Sequence, residues 1–276
     1  MGRGRTGRFS LPGDLHTHPL RCVLGMRGGD TRSSEVPERV RPATVGSMRR
    51  YWNERARKNA AWYVDTSLSY DHPDFERFLE TGRRIVDEAL AGPNPTGAGV
   101  AVEIGCGLGR NTLALADHFE HVIGLDISSE MLERAAVVAP HERVTFVVGD
   151  GMSLAQIGDT AADLVLTFTV FQHIPSVEVI ERYIVEAGRI LKPGGIFVFQ
   201  WNNTPGELRW RIKRTVLSVG QRMGIAKERR GRNAAEFLGS RVSMRRIRAA
   251  LERAGLQLEQ TKGEDTLYAW AWARRT

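Results

Sequence analysis

The sequence predicts an α/β fold in which a doubly wound, mainly parallel sheet is covered by helices on both faces. From residue 99 onward, short apolar runs alternate with helical patterns, which is typical of strand–helix–strand units. Each run is almost continuously apolar, as expected for parallel strands that are buried on both faces. Five runs are predicted to be strands: residues 100–104, 122–125, 144–148, 164–168 and 196–199.

The stretches between and after these strands have the three- to four-residue apolar spacing of amphipathic helices. Helices are predicted near residues 110–119, 129–138, 177–191 and 243–254. The last two apolar segments, 256–262 and 266–273, predict a terminal hairpin that turns around residues 263–265.

Composition divides the chain into three parts. Residues 1–47 mix Gly, Arg, Ser and Pro without an apolar stripe and are expected to form a disordered basic tail. Residues 48–95 have a helical pattern and are expected to cover the main domain, which spans 96–276 with an insertion at about 203–240. Met48 begins the helical pattern, so translation starting near this residue is one hypothesis.

The charge is segregated along the 276 residues, although the net value is only +7. Residues 1–58 carry a balance of +8, residues 59–200 a balance of −11, and residues 201–276 a balance of +10. An acidic middle segment is a poor binder of phosphate backbones, so an anionic partner is expected only at the basic ends. No run approaches the roughly 20 apolar residues that span a bilayer, which excludes a transmembrane protein.

Two short features of the sequence are expected to form neither a disulfide scaffold nor a metal site. The chain has two cysteines, Cys22 and Cys106, which cannot form a disulfide scaffold and indicate a reducing, cytoplasmic location. His16 and His18 have the His-x-His spacing of some metal-dependent hydrolases. No apolar strand precedes them and no further ligand set follows, so no metal site is expected.

A glycine-rich turn links the first predicted strand to the following helix. Glu103 ends the strand, and Gly105, Gly107 and Gly109 follow at every second position. Glycines at such a turn let a ligand approach the backbone, and the helix start offers free N–H groups to an anion. The dinucleotide fingerprint G-x-G-x-x-G requires glycine where this chain has Arg110, which makes NAD a minor option.

Further polar groups follow the next strands of the predicted sheet. Asp126 comes 21 residues after Gly105, where an acid bonds ribose hydroxyls in dinucleotide-binding folds. Asp150 follows the third strand, and the fourth strand leads into Phe168 and His173. The carboxyl ends of parallel strands meet at one edge, so we expect these residues to share a ligand site.

Taken as a set, these motifs resemble those of class I S-adenosylmethionine-dependent methyltransferases. The residues that carry the resemblance are Glu103-x-Gly105-x-Gly107-x-Gly109, Asp126, Gly149-Asp150-Gly151 and Leu191-Lys192-Pro193-Gly194-Gly195. It is strong over residues 99–201 and is closest to bacterial small-molecule enzymes with a methyltransferase domain of type 11 or 25. It implies a Rossmann-like sheet of seven strands with the last strand antiparallel.

The resemblance also implies roles for single residues in binding S-adenosylmethionine. The implied residues are Glu103, Gly105, Gly107, Gly109, Asp126, Ile127, Asp150, Gly151, Met152 and Phe168. Glu103 and the glycines would hold the methionine part, Asp126 the ribose, and Asp150 the adenine amino group. Ile127 and Met152 would pack on the adenine ring. The alternatives are that Asp150 caps the next segment and that Ile127 and Met152 are ordinary core residues.

Two regions are candidates for handling the methyl acceptor. His173 follows the fourth strand near the expected methyl group, which makes it the candidate general base, with a purely structural role as the alternative. The insertion carries nine Lys and Arg residues between positions 209 and 232, interleaved with apolar residues at helical spacing. It is interpreted as a solvated lid, as a contact for anionic lipid or a lipid-borne acceptor, or as an RNA-binding surface.

The sequence therefore predicts a cytoplasmic methyltransferase that uses S-adenosylmethionine and methylates a small molecule, at oxygen. The acceptor is either an ordinary metabolite or an anionic or lipid-borne one, and the oligomeric state is left open. The alternatives are an RNA methyltransferase that uses the basic insertion and a cofactor-binding protein without turnover.

Overall fold

A computed structural model describes residues 42–205 and 235–276, together with residues 212, 215, 216, 219 and 220. The described residues all belong to one unit, Glu38–Thr276. The tail with His16 and His18, and most of the basic insertion, lie outside the described residues. The predictions made for those two segments therefore stay predictions.

The described elements follow the expected alternation. The helices are α1 (Pro42–Val64), α2 (Phe75–Leu90), α3 (Arg110–Leu115), α4 (Ser129–Val138), α5 (Val177–Ile190), α6 (Ala235–Leu238) and α7 (Met244–Arg253), with a 3₁₀ turn at Phe171–His173. The strands are β1 (Val100–Ile104), β2 (His121–Asp126), β3 (Val144–Val148), β4 (Ala162–Thr167), β5 (Leu191–Trp201), β6 (Leu256–Lys262) and β7 (Ala269–Arg275).

The seven strands form one mixed sheet in the order β3-β2-β1-β4-β5-β7-β6. Strands β1 to β5 pair in parallel, whereas β7 lies antiparallel between β5 and β6. This confirms the predicted fold class, including the antiparallel last strand. The strand order reverses between β1 and β4, and ligands of doubly wound sheets bind at the carboxyl ends of the strands beside such a point.

Helices cover both faces of the sheet because alternate residues of each strand point to opposite sides. On one face, Val102, Val165 and Phe197 pack with the apolar sides of α5 and α7. On the other face, Ala101 and Leu164 join the residues of α2 and α3 that face the sheet. Both layers are needed because the central strands are apolar on both sides.

Two helices differ from the predicted bounds. α1 begins at Pro42, six residues before Met48, and it is kinked at Asn59, where the backbone becomes extended. The Asn59 side chain accepts from the Trp62 N–H at 3.1 Å and caps the short helical stretch that follows. α3 ends at Leu115 instead of near residue 119, because the next residues form tight turns such as His118 N–H to Leu115 O (2.9 Å).

β2 and β4 differ from the predicted bounds by at most two residues at either end, whereas β5 and β7 differ by more. β5 begins at Leu191 instead of residue 196, so Gly194 lies within the strand, at an irregularity in the pairing with β4. β7 begins at Ala269 instead of residue 266, because Thr266 closes the hairpin turn by donating to Gly263 O at 2.6 Å. Among the described helices, none has the length and apolar character needed to cross a membrane.

Candidate functional site

A cavity of about 810 Å³ opens at the carboxyl ends of β1, β2 and β4. This volume lies in the usual range for small-molecule sites. One half is formed by the glycine turn and the residues after β2 and β3, and α1 contributes Met48, Trp52 and Val64 to its wall. We call this part the motif half. The other half, lined by residues of α2 and of the β6–β7 hairpin, is called the open half.

The backbone of the glycine turn forms part of the cavity wall. Gly105 and Gly107 both line the cavity, with φ angles of +73° and +55°. A Cβ on Gly105 would meet Val170 Cγ2 at 2.3 Å, and one on Gly107 would meet Val64 Cγ2 at 2.8 Å. Glycine is therefore required at these positions both by the backbone conformation and by close packing.

Asp126 lines the motif half and holds the turn in place. Its carboxylate accepts from the Gly107 N–H at 2.9 Å and from the Ser128 N–H at 2.8 Å. Burial raises the pKa of Asp126, and these backbone donors oppose the shift. Each carboxylate oxygen has a second lone pair, so the group retains the capacity to accept hydroxyl donors from a ligand.

Apolar cavity wall lies beside Asp126. Ile127 and Gly151 both line the cavity, and a Cβ on Gly151 would meet Ile127 Cδ1 at 2.4 Å. Asp150 and Met152 are absent from the lining. The Asp150 carboxylate accepts from the N–H groups of Met152 and Ser153, both at 2.7 Å, which is the capping arrangement considered as its alternative role.

Glu103 and Gly109 lie behind the turn instead of lining the cavity. The Glu103 side chain is buried and accepts from Asn111 Nδ2 at 2.8 Å and from the Thr112 hydroxyl. Burial raises the pKa of Glu103, and the two donors oppose the shift. A Cβ on Gly109 would meet Phe146 Cζ at 2.9 Å. Both residues therefore shape the turn from beneath, and their contact with a cofactor stays a prediction.

A buried ion pair that sequence reasoning missed flanks the turn. Arg110 Nη1 donates to Asp65 Oδ2 at 2.8 Å and to Thr81 Oγ1 at 2.7 Å. All three residues line the cavity, although they come from α3, the segment after α1, and α2. The one available signal was an arginine where a dinucleotide turn would carry glycine.

His173 and Phe168 lie in the same cavity. Phe168 packs against Trp270 of β7 with ring centroids 5.2 Å apart, and the Arg110 guanidinium is 6.0 Å from its ring, so it touches both halves. His173 Nδ1 lies 2.5 Å from the Phe237 carbonyl oxygen, and its ring packs against Trp52. Asp126, Phe168 and His173 therefore line one cavity as expected, whereas Asp150, which was expected with them, does not line it.

The open half has a charged rim. Arg84 and Glu88 of α2 and Lys262 of β6 line it, together with apolar surface from Trp270 and Leu267. Lys262 is paired with Glu88. Within the described ranges, the structure gives Arg84 no ion-pair partner. An exposed guanidinium beside an apolar wall is suited to an organic anion.

Residues 102–199 match the family model of the methyltransferase domain. The trans-aconitate 2-methyltransferase of Methylobacterium radiotolerans is 30% identical over 148 residues, which are 53% of this chain and 54% of the relative. A sterol 24-C-methyltransferase of Gibberella zeae is 34% identical over 106 residues, which are 36% of this chain and 27% of the relative. The chain thus spans about half the length of the first relative and about a quarter of the second.

Two solved structures share the fold. Magnesium protoporphyrin IX methyltransferase from Synechocystis, with bound SAH, superposes with a TM-score of 0.56 and 21% identity over 84% of this chain and 100% of its own. Geranyl diphosphate C-methyltransferase from Streptomyces coelicolor gives a TM-score of 0.56 and 14% identity over 84% of this chain and 98% of its own. At these identities the likeness concerns the fold.

The motif half of the cavity fits the cofactor of this family. The glycine turn exposes its backbone to the cavity, Asp126 supplies acceptors for hydroxyl groups, and Ile127 with Gly151 adds an apolar wall on which a flat ring can pack. Residues 102–199 match a methyltransferase domain, and through their motif order and strand order they resemble the class I S-adenosylmethionine-dependent methyltransferases.

Proposed function

We propose that the protein transfers a methyl group from S-adenosylmethionine to an oxygen atom of a small organic anion. The observation that carries this proposal is the continuity of one cavity between the motif half, with Asp126, and the open half, with Arg84. A cofactor in the first half and an acceptor in the second would meet beside Phe168. Enclosing both in one cavity aligns them and excludes water, which is most of what such a transfer requires.

The protein's own residues are assigned to binding and orientation. The sulfonium of S-adenosylmethionine supplies an activated methyl group and a good leaving group when bound. Asp126 and the glycine turn fix the position of the donor, and Phe168 and Trp270 form an apolar wall beside the acceptor. An acceptor oxygen that is already ionised has no proton to lose, so no general base is needed.

The choice of an anion is supported by the rim of the open half. Arg110 and Lys262 are engaged by Asp65 and Glu88, which leaves Arg84 available to a ligand carboxylate. Several relatives carry the name trans-aconitate 2-methyltransferase, and trans-aconitate is itself a carboxylate. A carboxylate oxygen is therefore the proposed methyl acceptor.

Other relatives are named for different acceptors. A sterol and geranyl diphosphate appear in their names, both with methylation at carbon. The RNA and lipid alternatives depend on the basic insertion, most of which lies outside the described residues. These acceptor classes are distinguished by the fate of a labelled methyl group.

The test uses the purified full-length chain and S-adenosylmethionine with a labelled methyl group. Trans-aconitate, other small carboxylates, geranyl diphosphate and total RNA are supplied in separate reactions. A methyl ester releases labelled methanol in mild alkali, whereas a methyl group on carbon does not. Alkali-labile label in a carboxylate is the expected result. Alkali-stable label contradicts the ester, label in RNA contradicts the small molecule, and no transfer in any reaction contradicts the activity.

A further inference from the structure

A buried glutamine begins a chain of hydrogen bonds beneath the cavity. Gln200, at the end of β5, is fully buried. Its Oε1 accepts from the Thr169 N–H at 2.9 Å, and its Nε2 donates to Leu267 O at 3.1 Å. Flipping this amide would set Oε1 against a carbonyl and Nε2 against an N–H group, so its orientation is fixed. Thr169 has a φ of +57°, which means that Gln200 also holds a strained backbone at the cavity wall.

The orientation of Gln200 fixes that of Gln172. Gln200 Nε2 lies 3.3 Å from Gln172 Oε1 and donates to it. Gln172 Nε2 therefore points the other way, to His173 Nε2 at 3.3 Å. Since an amide Nε2 only donates, His173 Nε2 must accept and carries no proton.

The proton of the neutral imidazole is consequently on Nδ1. This nitrogen lies 2.5 Å from the carbonyl oxygen of Phe237, which can only accept. Both ends of the chain thus require the same tautomer of His173. The hydrogen bonds run in one direction, from the Thr169 N–H through Gln200, Gln172 and His173 to the Phe237 carbonyl.

The last residue in this series of hydrogen bonds, Phe237, belongs to the wall of the cavity. Phe237 and Leu238 of α6 line it, as do Trp52 of α1 and His173 itself. The imidazole lies between the rings of Trp52 and Phe237, at centroid distances of 5.6 and 4.8 Å. The backbone directly after α6 packs closely on the same turn, since a Cβ on Gly239 would meet Gln172 O at 1.8 Å.

We propose that His173 is a positioning residue that holds the Phe237 segment against the cavity, and that it is not the general base. A base would take the acceptor's proton on Nε2, the nitrogen that already accepts from Gln172. Protonation there would set two donors face to face and break the chain of hydrogen bonds. Only the turnover readout of this inference rests on the proposed function, because the hydrogen-bond readout does not depend on any reaction.

Three variants separate the two roles of His173. In His173→Asn the amide nitrogen replaces Nδ1 as donor to Phe237 O, but the side chain cannot act as a base. His173→Ala removes both functions. Gln172→Met removes the donor to Nε2 and leaves the imidazole free to accept a proton. Each is compared with the wild type, with S-adenosylhomocysteine present, by hydrogen–deuterium exchange of residues 237–242 and by kcat and KM.

A positioning role predicts about five- to tenfold faster exchange of residues 237–242 in His173→Ala, and near-wild-type exchange in His173→Asn. It also predicts a raised KM in His173→Ala and Gln172→Met, and a kcat within about tenfold of wild type in His173→Asn.

The inference is overturned if His173→Asn and His173→Ala both lose about 10²- to 10⁴-fold in kcat, as expected for a lost base, while Gln172→Met keeps full kcat. Unchanged exchange in His173→Ala also overturns it. If the wild type transfers no methyl group, the proposed function fails while the exchange measurements still decide the role of His173.

Discussion

Arg110 and Asp65 form an ion pair with 2.8 Å between Nη1 and Oδ2, and their side chains are only 6% and 11% exposed. The pair joins the segment after α1 to the first residue of α3, directly after the glycine turn. Thr81 of α2 donates to the same carboxylate at 3.0 Å. Three helical regions thus converge on the residue that ends the turn, and the position of the turn depends on a contact outside its own motif.

Removing one partner of this pair is expected to destabilise the fold. Arg110→Met leaves the largely buried Asp65 carboxylate without its cation, which should lower the free energy of unfolding by about 3 kcal/mol. Urea denaturation measures this change. Lys58→Gln, which breaks an exposed pair with Glu54, is the control and should change it by less than about 1 kcal/mol. Equal effects of the two variants would show that burial of the Arg110 pair is unimportant.

The same pair predicts a pH dependence. Burial raises the pKa of Asp65, but hydrogen bonds from Ser67 and the charge of Arg110 outweigh it and leave the pKa below its ordinary value of 3.8. A carboxyl group whose pKa is lowered by folding stabilises the fold at pH values above its pKa in the unfolded state. This stabilisation is lost as the pH falls through the pKa of the folded state. The stability difference between wild type and Asp65→Asn should be constant above about pH 5 and shrink below about pH 4. A difference that grows on acidification would contradict the assignment.

Asp126 is expected to contribute to cofactor affinity. Asp126→Ala removes the carboxylate proposed to accept from the ribose hydroxyls and should weaken binding of S-adenosylhomocysteine by about 1–3 kcal/mol, as measured by calorimetry. Asp87→Ala removes an exposed carboxylate of α2 outside the cavity lining and should leave the affinity unchanged. Wild-type affinity in Asp126→Ala would mean that the cofactor lies elsewhere.

Gly105 is expected to tolerate no side chain. Gly105→Ala combines a φ of +73° with a contact of 2.3 Å to Val170 Cγ2, so it should abolish binding of S-adenosylhomocysteine and lower the melting temperature. Gly158→Ala is the matched control, because a Cβ there meets nothing within 4 Å. Retention of cofactor binding in Gly105→Ala would show that the turn can move away from Val170.

Arg84 is expected to select the acceptor. Arg84→Ala should raise KM for an anionic acceptor at least about tenfold, since a charge-assisted hydrogen bond is worth roughly 1.5–3 kcal/mol, with little change in kcat. Arg83, the exposed neighbour outside the cavity lining, provides the control variant Arg83→Ala. Equal KM values in the two variants would remove Arg84 from the acceptor site.

Much of the fold is determined by local sequence patterns and could be predicted from them. The bounds of α4 and β6 agree with the sequence pattern at every residue, because apolar periodicity marks the buried face of each element. The end of α3 and the start of β5 were predicted less well. Both depend on backbone bonds and pairing partners, which periodicity does not encode.

The site residues that belong to a sequence motif could be predicted. Asp126 and the glycine turn were found from spacing, because the strand-to-helix geometry fixes their relative positions. The pairing of Asp65 with Arg110 joins residues 45 positions apart, and the series of hydrogen bonds from Gln200 to Phe237 connects β5, the 3₁₀ turn and α6. Such contacts arise only when distant segments pack, and no periodic pattern in a single sequence records them.

The position of α1 has a consequence for the pace of turnover. Val64 lies over Gly107, Val45 lies beside Gly151, and Met48 forms part of the wall between them. A donor held in the motif half would be covered on one side by both arms of this kinked helix. We expect its exchange to require a displacement of α1, and that displacement to limit the rate of turnover.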